Sequence, residues 1–137
     1  MKFLKGLFGS SKDSSGRAPL KQDEREAILD LLLLGIYFDN HLSLGESQEF
    51  ESVVDSIEWE SSLSITVYIY DATVRVRSAR TSEEAITEFI EHVARRLSSN
   101  DSREYAFELL NRLFRTDGKS DTKKAFCRRV KATFETC

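Results

Sequence analysis

The stretch Ser64-Ile65-Thr66-Val67-Tyr68-Ile69-Tyr70-Asp71-Ala72-Thr73-Val74-Arg75-Val76-Arg77 decides the fold class. It is rich in β-branched and aromatic residues and it alternates, so local propensity alone reads a β-hairpin. Two arguments oppose that reading. A tight hairpin turn needs positive φ, which Asp71-Ala72 does not favour. Two isolated strands beside a set of helices would also leave unpaired edges. Read as a helix, the same stretch gathers Leu63, Val67, Tyr70 and Val74 on one face. The helical reading over 62–78 is favoured, and with it an all-α chain, a compact helical bundle.

The flanking sequence is helical in pattern on both sides. Upstream, a helix is expected to begin near Asp23, with Ala27, Ile28, Leu31, Leu32, Leu34, Ile36 and Tyr37 at its apolar positions. Leu33 thickens that stripe, which predicts a central helix buried on more than one side. It should end near Phe38-Asp39-Asn40. A capping box, Ser43-Leu44-Gly45-Glu46, opens the next helix, and Phe50, Val53, Val54 and Ile57 follow at helical spacing. Downstream, Thr81-Ser82-Glu83-Glu84 reads as a second box ahead of Ile86, Phe89, Ile90, Val93 and Leu97. After Ser98-Ser99-Asn100-Asp101, one helix carries Tyr105, Ala106, Leu109, Leu110, Leu113 and Phe114, and a last one Phe126, Val130 and Phe134. The sole proline, Pro19, precedes all of them, as long uninterrupted helices require.

With 137 residues, 40% of them hydrophobic and 31% charged, the composition is that of one globular domain. The formal charge of −3 gives no ground for nucleic-acid binding. Its distribution is uneven: residues 22–60 carry eleven acids against Arg25, while residues 103–137 carry nine bases against five acids. Acidic and basic parts that face one another explain this most simply; an acidic patch for a cation or a basic partner is the functional alternative. Cys127 and Cys137 form no CxxC motif and are expected to be reduced thiols.

The N-terminus reads separately. Residues 1–8, Met1-Lys2-Phe3-Leu4-Lys5-Gly6-Leu7-Phe8, form a short basic and apolar segment suited to weak membrane-surface or partner contact. Its apolar run is too short for a signal peptide, so the chain is expected to stay in the cytoplasm, with peripheral contact to the inner face of a membrane as the added expectation. A linker at 9–21, Gly/Ser-rich over 9–19, separates it from the single domain at 22–137.

Within that domain lies a weak internal repeat. Leu31 to Phe38 followed by Asp39-Asn40 and Ser43-Leu44-Gly45-Glu46 parallels Leu109 to Thr116 followed by Asp117-Gly118-Lys119-Ser120-Asp121. Each copy is an apolar helix, an Asp followed by Asn or Gly that tolerates the left-handed conformation, a polar turn and a capped new helix. This pair of helix–Asp-Gly–turn–helix units resembles the TerB-like family, which includes tellurite-resistance proteins and the N-terminal domain of a membrane-anchored J-domain co-chaperone. The likeness covers roughly residues 22–135. It implies an all-α bundle, no catalytic activity, and a stress-response role in a protein complex or a membrane-linked one. It also implies an acidic centre for a divalent cation such as calcium, with Asp39, Glu46 and Asp117 at the matching positions. Two departures stand out: Asn40 replaces Gly, and the second-copy Glu falls on Lys124, or on Lys123 if the loop is one residue shorter. Such a lysine is suited to pair with an acid across the repeat interface.

Capping alone is the simpler role for Asp39 and Glu46. His41 and His92 have no nucleophile at a recognisable spacing, so no catalytic arrangement emerges. Trp59, Tyr68 and Tyr70 read as core or rim aromatics, and Arg128, Arg129 and Lys131 as a solvated face.

Overall fold

In the computed structural model, residues 19–38, 42–116, 118 and 120–137 are described. Among them, six helices follow in order: α1 (Gln22–Tyr37), α2 (Leu44–Ser56), α3 (Ile65–Ala79), α4 (Glu83–Arg96), α5 (Asn100–Arg115) and α6 (Asp121–Thr136). The all-α expectation holds, and the stretch expected to be helical over 62–78 is helical from Ile65 to Ala79, with Ser64 as its cap and residues 62–63 in a bend before it.

α1 is the axis of assembly. Every residue from Ala27 to Ile36 is buried, and the helix packs against α2, α3, α4 and α5. A helix apolar on nearly every side, with Asp30 its one charged residue over that span, has no other stable place than the centre of a bundle. At Gly35 the approach of α5 is closest: a Cβ there would lie 2.9 Å from Leu110 Cδ1 and 3.1 Å from Phe114 Cζ. Upstream of α1, Leu20 packs against the core and the Lys21 amide donates to Glu24 Oε1 at 3.0 Å.

Tertiary burial overrides the β propensity of α3. Tyr68, Ala72 and Val76 form its buried face, with Ile65 and Ile69 beside them, while Val67, Tyr70 and Val74 lie on the outer face; Leu63, expected on that face, precedes the helix. The helix starts at Ser64, whose hydroxyl accepts from the Val67 amide at 3.1 Å. A β-like composition arises here because a helix packed on one side also carries apolar residues on the other.

The turns are tied to neighbouring helices. Beyond the α2 C-cap at Ile57, Glu58 adopts a left-handed φ of 57°, and the buried Arg25 of α1 donates to the Ile57 carbonyl at 2.8 Å. α4 is capped by Ser82, which accepts from the Ala85 amide at 3.0 Å. The helix therefore starts one residue later than the Thr81–Glu84 box predicted, and Glu84 is not the reciprocating carboxylate. α5 opens on a reciprocal pair of serines, Ser99 and Ser102. Arg103 then closes the ends of α4 and α6, donating to the carbonyls of Ala94, Leu97, Phe134 and Cys137 at 2.7–3.0 Å. Those carbonyls lie at helix ends, where intrahelical amides run out, although the Ala94 carbonyl also accepts from the Leu97 amide at 3.2 Å.

Candidate functional site

The two sequence repeats become two helix pairs, α1–α2 and α5–α6, that meet because α5 packs on both α1 and α2. Their second helices begin in the same way. Ser43 caps α2 by accepting from the Glu46 amide at 3.0 Å, and Glu46 Oε1 accepts from the Ser43 amide at 3.3 Å, as the predicted capping box requires. Ser120 caps α6 by accepting from the Lys123 amide at 3.2 Å. Glu46 and Lys123 are therefore equivalent residues, each the third of its helix.

These two equivalent residues bind each other. Lys123 Nζ donates to Glu46 Oε2, and both side chains are withdrawn from solvent, at 4% and 0% exposure. Nζ also stands 5.4 Å from the centre of the Phe114 ring, where a cation gains from the ring's negative face. Phe126 lies under Phe114 at 6.1 Å and against Phe38 at 4.6 Å, so the pair rests on an aromatic floor. Gly45 allows the close approach: a Cβ there would fall 2.8 Å from Thr116 Cβ at the end of α5. Gly118, φ 82°, supplies the left-handed residue between α5 and α6 that the second repeat predicted. Of the two placements the sequence left for the second-copy position, the helix cap selects Lys123; Lys124 is exposed.

Of the three predicted cation ligands, Glu46 is at this junction with both oxygens engaged. Asp39 and Asp117 lie outside the described residues, as does His41. Among the described residues, no group of three or more His, Cys, Asp or Glu side chains is arranged to hold a metal ion. A second acidic–basic link, Arg112 to Glu49 at 2.9 Å, also joins the basic C-terminal part to acidic α2. The uneven charge of the sequence is thus met partly by internal pairing.

A second buried polar centre escaped the sequence reading. Asp30, fully buried in α1, accepts from the Tyr68 hydroxyl at 2.8 Å, from Arg96 at 2.6 Å and from Arg75 at 3.1 Å. It joins α1, α3 and α4 through one carboxylate. Burial, then the charge and hydrogen bond of Asp30, push the Tyr68 hydroxyl up from 10.0 to about 12. Trp59 packs tilted against Tyr68, with ring centres 5.2 Å apart, a rim aromatic as expected. The signal was a lone carboxylate inside the apolar run Ile28-Leu29-Asp30-Leu31-Leu32. Glu24 was missed in the same way: it is buried and accepts from the Ser98 amide and hydroxyl at 3.2 and 3.1 Å.

Elsewhere the functional candidates disperse. His92 is exposed on α4, and Cys127 and Cys137 are both free thiols, the first buried. Arg128 and Lys131 are exposed, whereas Arg129 crosses to α4, donating to the Glu83 carboxylate at 2.7 Å and to Thr87 at 2.6 Å. No helix among the described residues is long and apolar enough to cross a membrane. Compared with known proteins, the chain matches no family model, no curated protein and no solved structure.

Proposed function

We propose that the chain is a non-enzymatic interaction module of the TerB-like kind, serving a stress-response or membrane-linked complex, in which Lys123 supplies the positive charge that a divalent cation would bring to the junction of the repeats. The observation that carries this reading is the buried Glu46–Lys123 pair between equivalent helix starts. A cation held by Asp39, Glu46 and Asp117 would have to take the place of Lys123 Nζ on Glu46 Oε2. Ser43 and Ser120 cap their helices, Glu46 and Lys123 neutralise each other, and such work suits a rigid docking body.

The test is thermal unfolding across millimolar calcium and magnesium, on the wild type and on Lys123→Met. An internal cation predicts an unchanged midpoint for the wild type and a cation-dependent rise for the variant, up to ~2.7 kcal/mol at a hundredfold excess over the dissociation constant. A rise in the wild type would show that the acidic site takes a metal with Lys123 present, and the internal-cation reading would fail. A flat response in both proteins would reduce Glu46 to a helix cap and remove the cation site from the proposal.

A further inference from the structure

A groove between α5 and α6 takes no part in the junction. It encloses about 430 Å³ and is lined by Glu104 and Phe107 of α5 and by Lys131, Phe134 and Glu135 of α6. That volume is within the roughly 300–1,000 Å³ of pockets that bury a ligand. Phe107 is half-buried and Phe134 is buried, so their rings form an apolar floor, while Glu104, Lys131 and Glu135 are exposed along the rim. Arg103 stands at one end, but its guanidinium is held by the carbonyls that end α4 and α6. Each such helix end carries about half a negative charge, which offsets the arginine. The two glutamates therefore outnumber Lys131, and the rim is acidic.

The chain enters the bundle beside this groove. Glu24 near the start of α1 accepts from the Ser98 amide and hydroxyl, and Arg103 ties the start of α5 to the ends of α4 and α6. The starts of α1 and α5 and the ends of α4 and α6 thus share one end of the bundle, and the groove opens there, at Asn100 and Arg103. α1 packs on α5 and α5 on α6, with ~8–10 Å between neighbouring axes, so the groove lies about 20 Å from the start of α1. Residues 9–18 can span up to roughly 33–36 Å, so residues 1–8 are within reach of it. Their chemistry matches. Residues 1–8 carry Lys2 and Lys5 and no acid, which suits the acidic rim, and Phe3, Leu4, Leu7 and Phe8 suit a floor of two rings.

We infer that the α5–α6 groove is the docking site of the chain's own residues 1–8, bound in cis. The inference is independent of the Glu46–Lys123 junction and goes beyond the proposed function. The groove is short, about 10 Å from Asn100 to Phe107, so the contact is weak. Attachment to the same chain lets a weak contact be populated, because the second partner is always near. A docked segment has its apolar side chains covered. Contact with a membrane surface or another protein through residues 1–8 therefore requires release from the groove.

The test places a nitroxide on Gly9→Cys of the full chain in a Cys137→Ser background, with the buried Cys127 out of reach of the label, and reads the broadening of amide signals by NMR. The expected result is broadening at Glu104, Phe107, Lys131 and Glu135 that is lost when Leu4→Asp and Leu7→Asp are added. Charge is read by reversal. Glu104→Lys with Glu135→Lys, both at exposed positions, should abolish the broadening, and Lys2→Glu with Lys5→Glu in the same chain should restore it. Groove signals that stay sharp overturn the inference. So does broadening that survives Leu4→Asp and Leu7→Asp, since the linker alone then explains it. Broadening at Val67, Tyr70 and Val74 in place of the groove puts the segment on the outer face of α3 and overturns it. When the nitroxide is on one copy and the isotope on another, equal broadening means docking between copies and overturns the reading in cis. Sharp groove signals in a chain that pellets with phosphatidylglycerol vesicles, and fails to as Leu4→Asp with Leu7→Asp, assign the segment to a membrane surface instead.

Discussion

Replacing Lys123 by Met tests the junction most directly. Methionine has nearly the length of the lysine stem and no charge, so packing against Phe114 is retained while the cation is removed. Glu46 is left with Oε1 on the Ser43 amide and Oε2 with no cation, at 0% exposure. Removing one member of a buried pair typically costs ~3–5 kcal/mol, because the remaining charge has lost its water and its partner together. The lower end applies here, since the Ser43 amide still holds half of the carboxylate and Met recovers some apolar contact. A loss of about 3 kcal/mol lowers the melting temperature of a domain of this size by roughly 10 °C.

Urea unfolding followed by far-ultraviolet circular dichroism measures the loss, with the midpoint lowered and the m value unchanged. Glu46→Gln should cost a similar amount, since it strands the ammonium instead. The double variant Glu46→Gln, Lys123→Met should recover much of the loss, because replacing both members of a buried pair by neutral groups is often close to neutral. If the two single losses simply add in the double variant, the residues do not interact energetically and the junction is not held by charge pairing. If Lys123→Met costs less than about 1 kcal/mol, the pair behaves as a solvated one and the argument from burial fails.

Three further outcomes follow from the geometry. Stability should fall as pH rises from about 10 to about 12, because the Tyr68 hydroxyl is raised from 10.0 to about 12 and folding therefore opposes its ionisation; Tyr68→Phe should flatten that alkaline limb, and an identical limb in the variant would refute the assignment. Gly45→Ala should destabilise by about 1–2 kcal/mol through the 2.8 Å approach to Thr116, although alanine is the better helix former, and a more stable variant would mean that α2 shifts at no cost. Removing residues 1–18 should leave the melting temperature within about 2 °C, since Leu20 is retained against the core, while unfolding of the truncated chain would make the segment part of that core.

How much of this was legible differs between helix and site. The apolar positions and central place of α1 were readable, because Leu31 to Leu34 in a row leave no polar side to turn outward there, while its buried Glu24 and Asp30 were not. The cap of α2 was readable because Ser43 and Glu46 make their bonds within four residues. α3 was harder. Its composition favours a strand, and only the poor turn and the helical context argued otherwise. Which of its faces met the core could not be decided locally: two apolar faces were present, and the packing of Tyr68, Ala72 and Val76 on α1 made the choice. The α4 cap slipped from Thr81 to Ser82 for a similar reason. Adjacent hydroxyl residues compete for one role, and the carboxylate expected to distinguish them, Glu84, does not take part.

The buried charges follow a rule that sequence distance conceals. Asp30 meets Arg96 across 66 residues and Glu46 meets Lys123 across 77, so no local window holds both partners. The repeat is what made the second pair partly foreseeable: aligning the two turns put a lysine opposite the position of a glutamate. In a symmetric pair of helix starts, two glutamates at these positions would face each other in a dry, aromatic-floored junction, and the two could not both be ionised there without a bound cation. A lysine in one copy removes that requirement. Its own place is unfavourable, since a positive charge in the first turn of α6 opposes the helix dipole by an amount typically below 1 kcal/mol. The gain from neutralising a buried Glu46 exceeds that penalty. The asymmetry between the two helix starts, a glutamate in one and a lysine in the other, is thus what neutralises the junction from within.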